Sequence, residues 1–185
     1  VDVELVNRNK AHVAALNEKG AHITGTVEMT VPVKAITPDE MSGVYSVIFL
    51  MTKQLFNAEV CTFLKPFLAE DGVIVTLEQS FHGRTITTLA ATGQDVFHES
   101  FLPLTCGFVH AKANDCADLE RVVNDNNVIA IMFETVQGEG GVLPLTKEFV
   151  DKIAEIAEKN DILMIVDEVQ TGNGRTDEGT GPAGH

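Results

Sequence analysis

Cysteine is scarce in this sequence: the 185 residues contain three (Cys61, Cys106 and Cys116), and tryptophan is absent. The three cysteines are an odd number and none are spaced as C-x-x-C, so neither a disulfide framework nor a metal site is expected. No apolar run approaches the ~18 residues of a membrane-spanning helix, and residues 1–10 lack the apolar segment of a signal peptide. A cytoplasmic protein without a membrane partner is expected.

Positive charge is also in short supply. The chain has 13 Lys and Arg against 27 Asp and Glu, which gives a net charge of −14. Nucleic acids and anionic membranes bind positively charged surfaces, so neither is expected as a partner, and a small-molecule ligand is favoured. The deficit is uneven, with a net charge of −3 over residues 1–77 and −11 over residues 78–185. A solvated acidic surface is the simpler interpretation of this step, which also marks a candidate segment boundary.

What the chain does contain is 44% hydrophobic residues in blocks that alternate with helix-period segments. This pattern is typical of a doubly wound α/β fold, a mostly parallel sheet with helices on both faces. Strands are predicted at residues 1–6, 47–51, 73–77, 107–111, 128–133 and 162–166, a β-ribbon at 22–33, and helices at 9–19, 55–68, 85–92, 115–123 and 147–159.

Polar segments follow three of the predicted strands: residues 80–85 (Ser-Phe-His-Gly-Arg-Thr), 134–141 (Glu-Thr-Val-Gln-Gly-Glu-Gly-Gly) and 167–172 (Asp-Glu-Val-Gln-Thr-Gly). The carboxyl ends of parallel strands are where α/β folds bind ligands. A buried Asp167 could stabilise a protonated heterocyclic nitrogen, and Arg84 could hold a carboxylate. Each segment alone has an ordinary structural explanation, such as a turn-capping Asp or a core Phe. The three together predict a ligand site.

These segments resemble the class III pyridoxal-phosphate aminotransferases, most closely the acetylornithine type, and the similarity covers roughly residues 78–176. The resemblance implies that Asp167 pairs with the pyridinium nitrogen of the cofactor and strengthens its electron sink. It also implies the following cofactor contacts: Phe81 and Val169 on the two ring faces, Gln170 on the phenolic oxygen, and His82 beside the ring.

The same resemblance assigns residues to the substrate and shows that two of the family's cofactor-binding features are not found in this sequence. It implies that Arg84 holds a substrate carboxylate and that Glu139 is the gating glutamate. In the family, a Schiff-base lysine lies beyond the Asp167 segment, whereas no lysine follows Lys159 in this sequence. The family's phosphate-binding loop is not found upstream either. These 185 residues are therefore expected to be catalytically incomplete and unable to transaminate alone.

Residues 1–77 resemble a different family, the NADP-binding domain of the ketopantoate reductases, beginning at its second strand. This resemblance implies that Asn7 and Arg8 meet the adenosine ribose and its 2′-phosphate, and that Lys53 lies near the nicotinamide. Without the resemblance, Arg8 is equally well explained as an exposed cation. The reductase's first strand and its Gly-rich phosphate loop are not found in the sequence.

The sequence thus predicts a chimera-like chain: a reductase-like Rossmann segment at 1–77, an aminotransferase-like segment at 78–176 and a flexible tail at 177–185. Residues 179–184 match G-x-G-x-x-G only formally, because no helix follows them. The favoured function is a partial aminotransferase-like module that carries pyridoxal phosphate. The alternatives are a non-catalytic recombinant or engineered α/β scaffold and a weak NADP-binding module. A homodimer is a further possibility, because sheet edges can associate.

Overall fold

A computed structural model describes residues 2–25, 28–52, 56–172 and 174–176. The chain forms two compact units, Val1–Ala69 and Glu70–His185. The strand at residues 73–77, which lies in the predicted reductase-like segment, belongs to the second unit. No helix in these described ranges is long and apolar enough to cross a membrane.

The first unit is built from short elements. They are β1 (Glu4–Val6), α1 (Lys10–Lys19), β2 (Ala21–Ile23), β3 (Met29–Val31), β4 (Lys34–Ile36) and α2 (Asn57–Leu64). Strand β1 pairs with β4 in parallel, and β2 pairs with β3 in antiparallel fashion. The β2–β3 pair confirms the predicted ribbon.

Helix α1 has clear start and stop signals, and it forms where the sequence predicts it. Asn9 caps the first turn, where its side chain accepts two backbone N–H groups. Gly20, at φ 76°, closes the last turn in a conformation that favours glycine. The Asn17 amide exchanges two 2.8 Å hydrogen bonds with the backbone of Ala35, which fixes α1 on β4.

Two predictions for the first unit fail. The strand predicted at residues 47–51 does not form, and Phe49 and Met51 are 63% and 90% exposed. Backbone pairing stops just before this stretch, at the bridge between Tyr45 and Leu68, so its apolar residues have no described strand beside them. Helix α2 is shorter than predicted, continues as a 3-10 turn at Lys65–Phe67 and buries no side chain.

The second unit contains the main sheet. Its elements are β5 (Val73–Leu77), α3 (Ile86–Ala91), β6 (Phe108–Ala111), α4 (Cys116–Asp125), β7 (Val128–Phe133), β8 (Val136–Gln137), β9 (Leu143–Pro144), α5 (Lys147–Asn160) and β10 (Leu163–Val166). Four parallel strands lie in the order β10-β7-β5-β6. Strands β8 and β9 form a separate antiparallel pair.

The order of the strands places helices on both faces of this sheet and confirms the predicted fold class. The chain moves across the sheet in one direction when it passes from β6 to β7 and from β7 to β10. It moves in the opposite direction when it passes from β5 to β6. Right-handed crossovers therefore put α4 and α5 on one face and α3 on the opposite face. Helices α4 and α5 contact each other. The core between them and the sheet is centred on Leu119, Ile131, Phe133, Phe149 and Ile153, each at most 1% exposed.

Strand β10 is less buried than its apolar sequence predicts. Its residues alternate between half-buried and exposed, with Met164 41% and Val166 36% exposed. In the described structure β10 is an edge strand of the sheet, and α5 contacts it. The continuous apolar run at residues 162–166 therefore does not mean that both faces of the sheet are covered by other elements at β10.

Candidate functional site

The three polar segments lie at the carboxyl ends of adjacent parallel strands. Residues 78–84 follow β5, Glu134 follows β7, and Asp167 follows β10. The β10–β7 pairing continues one residue beyond the strands, where the Asp167 N–H donates to the Phe133 carbonyl at 2.8 Å. The structure therefore brings the predicted segments together at one edge of the sheet.

A histidine and a carboxylate form the centre of this cluster. His82 Nδ1 lies 2.8 Å from Asp167 Oδ2, with the His82 side chain fully buried and that of Asp167 12% exposed. The backbone N–H of His82 donates to Thr92 Oγ1 at 2.9 Å, which fixes the main chain that carries the imidazole. The hydrogen bond from His82 lowers the pKa of Asp167, with a smaller contribution from the Val169 N–H, while burial opposes the shift. Asp167 is therefore ionised at neutral pH.

A second buried carboxylate, which was not predicted as a site residue, supports the same segment. Glu134 is 2% exposed, and its Oε2 accepts the Phe81 N–H at 2.9 Å. Burial raises its pKa, the Phe81 N–H and the His82 charge lower it, and the Asp167 charge raises it further. Its position directly after an apolar strand was the available signal, because a carboxylate there must find buried donors.

The turn after β5 is closely packed. Ser80 is fully buried, its Oγ accepts the Gly93 N–H at 3.1 Å, and its carbonyl accepts the Gln94 side-chain amide at 3.0 Å. A Cβ on Gly93 would overlap the Leu77 carbonyl. The position of Phe81 and His82 is thus set by backbone packing as well as by their own contacts.

The glutamine side chains beside the cluster have different surroundings. Gln137 is fully buried and donates through Nε2 to the Glu78 carbonyl at 2.8 Å. Gln170 lies against the turn after β8, where a Cβ on Gly138 would overlap its amide. Among the described residues, three buried polar atoms have no hydrogen-bond partner, and all three belong to this region: His82 Nε2, Gln137 Oε1 and Thr171 Oγ1.

Arg84 is exposed, and its guanidinium lies over two aromatic rings. Its guanidinium carbon lies 4.7 Å from the ring centroid of Phe97 and 5.6 Å from that of Phe81. The two rings meet edge to face, with centroids 5.8 Å apart. Phe97 was not predicted as a site residue, and no sequence signal links it to Arg84.

The other predicted residues of this region lie at its surface. The Val169 side chain is 88% exposed, while its N–H donates to Asp167 Oδ1 at 3.1 Å. Glu139 is exposed within the turn at residues 138–141. The roles assigned to both remain predictions.

The predicted NADP residues lie in the first unit. Asn7 and Arg8 follow β1 and are exposed, and Asn7 Oδ1 accepts the Asn9 N–H at 2.9 Å in the turn that begins α1. Lys53 lies outside the described residues. The NADP assignment therefore stays a prediction.

Comparison with known families gives one match over most of the chain. The family model described as "Aminotransferase class-III" matches residues 11–180. The match begins within the segment that was likened to the ketopantoate reductases and runs past its boundary at Leu77. The reductase resemblance and the chimera-like organisation remain predictions.

Curated relatives match slightly more than half of the chain. The acetylornithine aminotransferase of Haemophilus ducreyi is 50% identical over 103 residues, which are 56% of this chain and 26% of that protein. The acetylornithine aminotransferase of Aquifex aeolicus is 47% identical over 104 residues, 56% of this chain and 27% of that protein. The chain spans about a quarter of the length of these relatives.

Solved structures of transaminases share the fold. The ornithine aminotransferase of Toxoplasma gondii superposes with a TM-score of 0.55 and 31% identity, covering 63% of this chain and 28% of that one. An (S)-enantioselective omega-transaminase from Thermomicrobium roseum gives a TM-score of 0.53 and 31% identity over 56% of this chain and 28% of that one.

Proposed function

The chain belongs to the class III aminotransferase family, and from this premise we propose that it supplies the ring-binding part of a pyridoxal-phosphate site of the acetylornithine type. The observation that carries the proposal is the His82–Asp167 pair at the sheet edge. The relatives named acetylornithine aminotransferase support the assignment of type.

The residues present fit the ring of this cofactor. A half-buried, ionised carboxylate is a suitable partner for a protonated pyridine nitrogen, and His82 keeps the pKa of Asp167 low. The exposed Val169 side chain offers an apolar surface that a bound ring could cover. When bound, pyridoxal phosphate supplies an electron sink for negative charge at the substrate α-carbon. We assign no residue to its phosphate.

In this proposal each of the side chains at the sheet edge has its own role in holding the cofactor ring. Asp167 keeps a proton on the ring nitrogen, and His82 holds Asp167 in place. Phe81 and Val169 pack on the ring faces, and Gln170 contacts the phenolic oxygen. Glu134 holds the Phe81 backbone through its 2.9 Å hydrogen bond.

The substrate side is assigned to Arg84 and Glu139. The exposed guanidinium of Arg84 can form two parallel hydrogen bonds with the carboxylate of an amino or oxo acid. Glu139, in the exposed turn at residues 138–141, is proposed to gate that position. N-acetylornithine, as in the names of the relatives, is the proposed amino donor.

For the 185 residues by themselves we propose cofactor binding without turnover. The family resemblance places the Schiff-base lysine after the Asp167 segment, and residues 160–185 contain no lysine. No other amine of the chain is assigned to the bond with the cofactor or to proton transfer at the substrate α-carbon.

The test is a titration of the purified chain with pyridoxal phosphate, followed by borohydride reduction and mass mapping of labelled lysines. We expect a saturable absorbance change that Asp167→Asn weakens, scattered lysine labelling, and no turnover with N-acetylornithine and an oxo acid. A single labelled lysine with turnover would contradict the proposed inactivity. Absence of saturable binding would contradict the site itself.

One observation favours a second function for the first unit, weak NADP binding. Strands β1 and β4 are parallel, α1 and the β2–β3 pair lie between them in the sequence, and Arg8 is exposed after β1. Quenching of NADPH fluorescence by the wild-type chain, reduced in Arg8→Gln, would support this function. Equal fluorescence with and without the protein would remove it.

A further inference from the structure

The Arg84 guanidinium is held by stacking alone in the described structure. It lies over the rings of Phe97 and Phe81, and it forms no ion pair with a described carboxylate. A guanidinium over an aromatic ring is attracted by the ring face and uses none of its N–H groups as hydrogen-bond donors, so these groups stay available to a carboxylate. Phe97, at 4.7 Å, is the nearer of the two rings.

The turn that carries Phe97 is fixed at both ends. Gln94, at its start, donates to the Ser80 carbonyl at 3.0 Å. His98, at its end, has Nε2 2.7 Å from the Thr92 carbonyl and 3.0 Å from that of Leu89. The Phe97 ring therefore has a set position relative to the segment that contains Phe81 and Arg84.

We propose that Phe97 is a positioning residue, which orients the Arg84 guanidinium so that its N–H edge faces a substrate carboxylate. This inference rests on the proposed function, in which Arg84 holds that carboxylate. Phe81 alone is a weaker support, because its ring centroid is 5.6 Å from the guanidinium carbon, against 4.7 Å for Phe97. A flexible arginine side chain loses conformational entropy when it binds a carboxylate. The Arg84 side chain is already restrained by the rings before binding, so this entropic cost is smaller.

The test uses the full chain and two readouts. The first is the NMR resonance of the Arg84 Nε–H group, which the Phe97 ring shifts in the absence of ligand. The second is the affinity for glutarate, a dicarboxylate with no amino or oxo group. A chloride titration at equal ionic strength is the control for non-specific anion binding.

In Phe97→Leu we expect the Nε–H resonance to move towards that of a free arginine and the glutarate affinity to fall about two- to fivefold. Phe97→Tyr keeps the ring and is expected to restore both. Phe101→Leu is the matched control, because Phe101 is 60% exposed, lies in the same segment and is not stacked on Arg84. The pyridoxal-phosphate absorbance titration is expected to be unchanged in all three variants.

Three results would overturn the inference. One is a Phe97→Leu chain with unchanged resonance and unchanged glutarate affinity. Another is an Arg84→Gln chain that binds glutarate as tightly as the wild type does. The third is a wild-type chain that binds glutarate no more tightly than it binds chloride. Each of these leaves the pyridoxal-phosphate titration as an independent measurement, so failure of this inference is distinguishable from failure of the proposed cofactor site.

Discussion

At the scale of single residues, the candidate site depends on two carboxylates whose pKa values shift in opposite directions. His82 donates to Asp167 and keeps it ionised, whereas burial dominates at Glu134 and raises its pKa. Asp167 could be identified from sequence because it ends an apolar strand within a recognisable segment. The partnership of His82 with Asp167, 85 positions apart, could not, because it depends on which strands are neighbours in the sheet.

Replacing His82 with phenylalanine should reduce the free energy of unfolding by about 1.5–3 kcal/mol at neutral pH, because a hydrogen bond to a charged group is lost. The pKa of Asp167 is lowered in the folded state, so its stabilising contribution is present at neutral pH and is lost as the pH falls through the folded pKa. In urea denaturation, the difference in the free energy of unfolding between wild type and variant should become smaller below about pH 4.

The control for this measurement is a double-mutant cycle with Asp167→Asn. If the effects of the two substitutions simply add, the hydrogen bond does not contribute to stability and the assignment of His82 is wrong.

The Glu134 carboxylate accepts backbone N–H groups from both Phe81 and Gly138. Glu134→Gln should destabilise the chain by about 1–3 kcal/mol, because the single amide oxygen can accept only one of them and the NH₂ group would face the other. The pKa of Glu134 is raised in the folded state, so the wild type has this group's contribution at low pH and loses it as the pH rises through that pKa. The loss of stability of the variant relative to the wild type, measured by urea denaturation, should therefore become smaller as the pH rises above about 4.

Glu139→Gln is the matched control, because Glu139 is exposed and five positions away in the same segment. Its effect should stay within about 0.5 kcal/mol. A pH-independent deficit for Glu134→Gln would show that the carboxyl pKa is not raised by folding.

At the scale of secondary structure, strongly patterned elements were predictable and weakly patterned ones were not. Helix α5, with its Thr146 cap and four buried apolar residues, and strand β7 form where the sequence predicts them. Residues 47–51 are equally apolar, yet no described strand pairs with them. Strand formation requires a neighbouring strand, and local sequence does not report whether one is available.

The packing of the turn after β5 makes a prediction for Gly93. A Cβ at this position would overlap the Leu77 carbonyl, which is backbone within the sheet and cannot yield. Gly93→Ala should therefore lower the free energy of unfolding by more than about 2 kcal/mol, as measured by thermal or urea denaturation.

Gly107→Ala is the comparison within the same unit. Gly107 has a φ of +96° but open space around it, so alanine there carries conformational strain of about 1–2 kcal/mol and no overlap. If Gly93→Ala is no more destabilising than Gly107→Ala, the close packing of residues 77–93 is not rigid.

At the scale of the whole molecule, the two units differ in how much core they contain. The buried apolar side chains described in the first unit are Val13, Ala35 and Met41. The second unit has a continuous core of β5, β6, β7, α4 and α5 side chains. The fold class of the second unit followed from sequence, because its strands and helices alternate regularly. The compact-unit boundary at residue 69 did not, because charge and family resemblance both pointed to residue 77.

Amide hydrogen exchange should detect this difference. The amides of β5 and β7 should be the best protected, because they open only when the second unit unfolds, whereas those of β1 and β4 should exchange faster. Equal protection in the two units would show that the chain unfolds as one cooperative body.

The central claim is that Asp167, held by His82, binds the ring nitrogen of a pyridoxal-phosphate cofactor. Its most direct test is the affinity of the chain for pyridoxamine 5′-phosphate, which carries the same ring and requires no lysine for binding. Asp167→Asn should weaken this affinity at least tenfold, because a charge-assisted hydrogen bond contributes about 1.5–3 kcal/mol. Glu168→Gln, at the exposed neighbouring carboxylate, should change it less than twofold. Equal affinities of the wild type and Asp167→Asn would contradict the claim.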